Sequence, residues 1–431
     1  MAAESLGLKC RHHAASLAAL LSLALVGCGG GGGSGDSGLP QPLGDIAQPV
    51  TAAVPTAPYA KVLGDCTFNP SRGTACLLST LPFLGQDNAT LTVDQIMERV
   101  AVTHPWMATR FRDVLNTQPT ELLQMMRPVT AIIIGSKIRP SFYYPSTGAI
   151  YLDPDTLWLT QAEHDTIDKT PDARIDFGKD LQFRAIWRYV KDNDYAYPYY
   201  APDYRGDRPI DDTRIALGRL LAHELAHAGD FSPPKNLAAL ARNQTAEQAI
   251  STQSSNWIST RLKQNQPLTS AAWPGLAQVL YANAGPNAEQ KGYTPAQAGA
   301  LAEPDRAADA YGYFTQYEDV AMLTEEILSW CFYGIQRDFA TSNRPTSGDF
   351  IVGWGVRGRV GTANVNQAAR FAVQELLPNA VLDSCYASLP APVRMRTGAT
   401  WTSNLDPSGT SAKAKAVTVE AVRPSDLLPP G

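Results

Sequence analysis

Residues Ile215–Ala228 constrain this chain more than any other stretch. They read as one helix, with Asp211, Asp212 and Thr213 as candidate caps and Gly229 near its end. Within it stands Leu220-Leu221-Ala222-His223-Glu224-Leu225-Ala226-His227-Ala228, in which only the two histidines and the glutamate are polar. A helix this apolar belongs inside a core, and it carries two imidazoles and a carboxylate in with it. Four residues are slightly more than one turn, so both imidazoles project from one face, about 6 Å apart. From that spacing two ring nitrogens reach a single zinc ion at ~2.0–2.1 Å each, while Glu224 reaches a water beside the ion without binding it. Whatever the fold, it must close over this helix.

A site of this kind needs a third protein ligand. The metzincin pattern would place Gly and His at 230 and 233, where this chain has Asp230 and Pro233. Outside the helix and the N-terminal segment the only histidines are His104 and His164. Neither stands in an evident ligand arrangement, and His104, beside Pro105 and Trp106, reads as a capping or packing residue. A carboxylate is the better candidate.

Two windows resemble a known superfamily. His223–Asp230 reads HELAHAGD, similar to the HExxHxxD form of the anthrax-lethal-factor-like gluzincins. Tyr317-Glu318-Asp319-Val320-Ala321, opening a helix expected over Glu318–Tyr333, resembles the Glu-Asp-aromatic-Ala segment in which many gluzincin peptidases carry their zinc-binding glutamate. Tyr311 stands seven residues before Glu318, as a tyrosine does in those proteins. The chain departs from the pattern at Val320, which replaces the aromatic, and at Met322, where a glutamate is often found. The resemblance implies that His223, His227 and Glu318 bind one zinc ion per chain, with Glu325, two turns on along the same face, as the alternative third ligand. It further implies Glu224 as general base, Tyr311 as a donor to the developing oxyanion, and Asp230 or Asp319 behind a ligand histidine. The implied fold is α+β and zincin-like: a twisted sheet over the active-site helix, then a mostly helical C-terminal half that supplies Glu318. The implied activity is hydrolysis of peptide bonds in cell-envelope or extracellular proteins and peptides. A murein-peptide amide hydrolase and a non-catalytic scaffold with a peptidase-like core remain as alternatives.

The N-terminus points to export. Lys9 and Arg11 precede an apolar run, Ala14–Gly27, too short for the ~18–20 residues that span a bilayer. The run closes on Leu25-Val26-Gly27-Cys28, which resembles the bacterial lipobox and implies lipidation of Cys28 as a membrane anchor. Gly29 rather than Asp follows it, which implies sorting to the outer membrane where the host has one. No later apolar run is long enough to span, and a net charge of −5 without a Lys/Arg block argues against a nucleic-acid partner. Cys66, Cys76, Cys331 and Cys385 remain, without metal-type spacing, and in an oxidising compartment they read as disulfide staples, Cys66 with Cys76 and Cys331 with Cys385.

The expected division is a signal peptide over 1–27, a Gly/Pro-rich tether over 28–60, an N-terminal subdomain with the HExxH helix over 61–232, a helical subdomain over 233–402 and a disordered tail over 403–431. Within it, helices are expected from Thr92 to Met126, with Thr92 and Gln95 as a capping box. Val129–Ile134 reads as a buried strand, and Ser141–Tyr144 with Ala149–Asp153 as a hairpin whose second arm is either a peptide-pairing edge strand or one more sheet strand. Leu181–Val190 and Val365–Ser388 read as helices. Tyr195, Tyr197, Tyr199, Tyr200 and Tyr204 form either a stacking surface or loop packing.

Overall fold

The computed structural model describes residues 48–67 and 76–410. The signal peptide, Cys28 and residues 411–431 of the expected tail lie outside them. The architecture is α+β, with two five-stranded sheets and a pair of long central helices.

The first sheet has the order β1-β2-β3-β5-β4, from β1 (Thr51–Ala52), β2 (Val100–Val102), β3 (Ile132–Ile134), β4 (Phe142–Tyr144) and β5 (Ala149–Leu152). Its centre, β2, β3 and β5, is parallel, and its two outer strands are antiparallel. The central strands are buried on both faces, as parallel strands generally are. The hairpin forms as expected, but its second arm, β5, is held between β3 and β4, so the free edge belongs to β4. β1 begins inside the stretch expected to be tether, where Thr51 and Ala52 pair with Val102 and Ala101.

The second sheet is antiparallel throughout, in the order β10-β9-β8-β6-β7. It comprises β6 (Arg184–Lys191), β7 (Asp194–Tyr195), β8 (Gln336–Ser342), β9 (Val352–Arg357) and β10 (Val393–Arg394). Three corrections to the sequence reading meet here. The segment 181–190 is a strand, because its partner β8 lies about 150 residues away and covers what a local pattern leaves open. The C-terminal half is less helical than expected, since it supplies β8, β9 and β10. The sheet also takes strands from both sides of the 232/233 division, so the two halves share it.

The central helices are α2 (Asp211–Phe231) and α4 (Gln316–Tyr333), numbered after α1 (Pro105–Leu115) and with α3 (Ile258–Asn265) between them. Every residue from Leu220 to Phe231 is buried. α4 begins at Thr315, whose side chain accepts from the Glu318 N–H at 3.1 Å, and ends at Gly334 with φ of 65°. The two helices pack antiparallel and closely. A Cβ on Gly218 would stand 1.9 Å from Tyr333 Oη, so no side chain fits there. The expected C-terminal helix is two helices, α5 (Ala363–Val373) and α6 (Asn379–Ala387), parted before Pro378, which cannot continue a ladder. Val100–Val102 likewise interrupts the expected helical run as β2. The expected tail is in part structured: Thr402–Leu405 forms a 3-10 turn with Asn404 fully buried, and Arg357 donates to the Asn404 and Leu405 carbonyls. Among the described residues no helix is long and apolar enough to cross a membrane.

Both disulfides form, Cys66–Cys76 and Cys331–Cys385, the second joining the end of α4 to α6 across 54 residues. Loop-closure entropy assigns the longer bridge about 4 kcal/mol and the shorter roughly 3 kcal/mol. Replacing Cys331 and Cys385 with serine is therefore expected to lower the urea midpoint more than the same change at Cys66 and Cys76, as followed by fluorescence. A second expectation concerns Glu326, buried on α4 and accepting from the Val360 N–H at 3.0 Å. Burial, only partly offset by that hydrogen bond, pushes its carboxyl up to about 8. A folded-state pKa above the unfolded one means that stability falls as pH rises from the ordinary glutamate range to about 8. Glu326→Gln is expected to melt higher than the parent at pH 8 and to match it near pH 4.

Candidate metal centre

α2 presents His223 and His227 from one face, and the first turn of α4 presents Glu318 opposite them. Glu318 Oε2 lies 3.2 Å from His223 Nε2 and 3.4 Å from His227 Nε2. One ligand atom from each residue falls within 4.8 Å of the other two, and all three residues are buried. The rings of His223 and His227 are nearly perpendicular, at 84°.

Glu325 stands behind His223. Its Oε2 accepts from His223 Nδ1 at 3.0 Å, while its Oε1 faces Arg219 Nη1 at 3.2 Å and Arg337 Nη1 at 3.6 Å. Glu325 is thus not in the ligand triangle but holds a ligand ring from behind, two turns along α4 from Glu318. Arg337, on β8, also binds Asp309, whose other oxygen accepts from the Tyr311 and Gly312 N–H groups at 2.9 and 3.3 Å. One guanidinium therefore braces both the His223 partner and the turn bearing Tyr311. Tyr311 lies at 18° to the His223 ring and donates from Oη to Glu318 Oε1 at 3.2 Å.

The electrostatics follow from burial and pairing. Burial opposes charge on His223, but its bonds to Glu318 and Glu325 prevail and raise its pKa to about 10. Burial would raise Glu318, yet the two imidazoles hold it well below the carboxylate range. Glu325 is likewise lowered to about 2 against its burial, by His223 and the two arginines. Glu224 differs from both. Burial raises it, opposed by the imidazoles and by a hydrogen bond from the Tyr143 backbone on the free edge of β4. Its Oε1 has no partner although it is buried.

This donor set fits a divalent cation. With Nδ1–H committed to Glu325, the Nε2 lone pair of His223 converges with His227 and Glu318 Oε2 on one small space. Protons on the ring nitrogens now bridge that space to Glu318, and a divalent cation in their place would draw on the same lone pairs. Two imidazoles and one carboxylate, with a carboxylate behind the first imidazole, match the preferences of zinc.

The other named residues separate. Asp319 pairs with Arg306 at 2.7 Å and touches neither histidine, because it points to the other side of α4. Asp230 accepts from the Ser259 N–H at 2.7 Å, and burial raises its pKa to about 6, with His227 among the groups opposing that shift. Its Oδ2 and His227 Nδ1 both lack a hydrogen bond, so Asp230 backs His227 only through its field. His104 is the N-cap of α1 but makes no side-chain cap, its Nδ1 lying 3.0 Å from the Thr103 hydroxyl. The tyrosine-rich segment chiefly packs: Tyr200 binds Asp212 and lies edge-on to Trp158 and Tyr204, and Tyr197 accepts from Arg219. Arg219, Arg337 and Asp309 escaped the sequence reading. Arg219 alone left a trace, as the one charge in the run Ile215–Ala222, a turn before His223.

Comparison with family models, with curated proteins and with solved structures finds no match to this chain. The geometry alone yields a prediction. Glu318→Ala is expected to abolish zinc binding, and Glu325→Ala to weaken it about 10- to 100-fold, by titration against a competing chelator. Glu325→Ala also leaves two buried guanidinium groups short of a partner, at a cost of about 3–5 kcal/mol. Asp319→Asn should destabilise the fold without changing zinc affinity.

Proposed function

We propose that this chain is a zinc-dependent metallopeptidase of the gluzincin type, hydrolysing peptide bonds in proteins or peptides of the cell envelope. The observation that carries the reading is Glu224: a buried carboxylate with one unpartnered oxygen, beside a convergent His-His-Glu triangle. An orphaned buried acceptor is costly, and this one stands next to the triangle. The zincin-like arrangement is supported by the two helices that bear the triangle and by the β4 edge running beside them.

His223, His227 and Glu318 hold the ion. Zinc bound there supplies Lewis acidity to a peptide carbonyl and to a water molecule. The chain's own residues do the rest. Glu224, raised by burial toward the proton-accepting range, takes a proton from the attacking water at Oε1 and passes it to the amine as the C–N bond breaks. Tyr311 offers a hydroxyl to the negative charge that develops on the carbonyl oxygen. Glu325 fixes the His223 tautomer, so that Nε2 keeps its lone pair. The outward N–H of Tyr143 marks the strand edge along which an extended peptide lies.

The lipobox resemblance at Cys28 and the two disulfides support an exported, membrane-anchored lipoprotein. Glu224→Gln is expected to lose about 10³-fold or more in kcat while keeping its zinc by elemental analysis. Tyr311→Phe should lower kcat about 10²-fold with little change in KM. Zinc retention with undiminished hydrolysis in Glu224→Gln would remove the reading.

A further inference from the structure

A cavity of about 450 Å³ opens one step away from Glu224. Its position follows from two elements that run side by side. On β4, Tyr143 donates its backbone N–H to Glu224, and two residues earlier Ser141 lines the cavity. On α2, Leu220 lies one turn before Glu224 on the same face and lines it too. A peptide whose reacting bond sits at Glu224 therefore brings a neighbouring side chain to the cavity.

The walls select what enters. Trp187, Tyr199 and Tyr200 contribute aromatic faces, with Pro140 and Ile167 between them. Of the charged groups in the lining, Arg139 pairs with Asp153 at 2.7 Å and Arg174 with Asp172 at 2.7 Å, while Lys169 donates to the His164 carbonyl at 2.8 Å. The aromatic faces favour a large, flat group.

One lining residue asks for more than packing. His164 is 3% exposed, stacked on Trp158 at 4.3 Å, and its Nδ1 has no hydrogen-bond partner. Burial, joined by the charge of Lys169, lowers the pKa of the ring. A neutral imidazole nitrogen is a donor or an acceptor according to tautomer, and a hydroxyl serves either.

We propose that this cavity is the specificity pocket of the chain and receives a tyrosine side chain of the substrate, its ring between Trp187 and the tyrosines and its hydroxyl on His164. The assignment rests on the peptidase reading for its register but not for its chemistry. Trp187 also lies under the Arg337 and Arg219 guanidinium groups, at 4.2 and 5.1 Å, so an occupied pocket abuts the residues that hold Glu325.

The test is calorimetric binding of Ala-Ala-X-Ala-Ala peptides to the zinc-loaded Glu224→Gln protein, with cleavage of the same peptides by the parent alongside. Tyr at X should bind about tenfold tighter than Phe, the worth of one buried hydrogen bond. His164→Phe, which keeps the stack on Trp158, should equalise Tyr and Phe while leaving both ahead of Ala. Leu220→Trp, which fills the cavity, should erase the preference for aromatic X. Binding that ranks X as expected, with a parent inert toward every peptide, supports the pocket and removes the peptidase reading. Cleavage indifferent to X, or a Tyr preference that survives both variants, overturns the pocket and leaves the peptidase reading standing.

Discussion

The pairing of Glu325 with His223 across the α2–α4 interface is the contact on which the rest of the structure depends. It lies in the driest part of the molecule, where an unpaired ion is intolerable, so each charge brought in recruits another. His223 calls for Glu325, Glu325 for Arg219 and Arg337, and Arg337 for Asp309, which shapes the turn of Tyr311. The chain of partners runs from the HExxH helix to the second sheet without reaching water. The sheet is thus the wall against which His223 and Glu325 are braced, rather than a separate platform.

That dependence explains which parts of the molecule were legible in the sequence. α2 was visible because its signal is local: an apolar helix with His223, Glu224 and His227 at fixed spacing. Glu318 was visible through its neighbours, and the four cysteines through their spacing. The second sheet was not, because β6 meets β8 only after a long excursion, and its apolar run resembles a buried helix until the partner is known. Glu325 was seen to share the face of Glu318, but its partner His223 lies 102 residues away, and no local pattern separates a ligand from the group behind a ligand. Asp319 shows the converse, since adjacency to Glu318 placed it on the wrong side of the helix.

The site and its surroundings also differ in how they treat polar groups. In the bracing network most oxygens and nitrogens are matched, which favours a single arrangement. At Glu224 Oε1 and His164 Nδ1 they are not. The first of these stands beside the His-His-Glu triangle and the second in the lining of the cavity beyond Leu220.

The sharing of the second sheet between distant segments has a consequence for how the protein comes into being. Arg188 on β6 finds Asp338 on β8 only across 150 residues, and β8 also carries Arg337. During synthesis the histidine helix is therefore complete well before its counter-ions exist, and it must wait as an apolar segment with unmatched polar groups. A fragment ending before β8 lacks Arg337, and with it the link from Glu325 to the second sheet. The last strands to emerge complete the brace rather than the triangle, whose three residues all precede them.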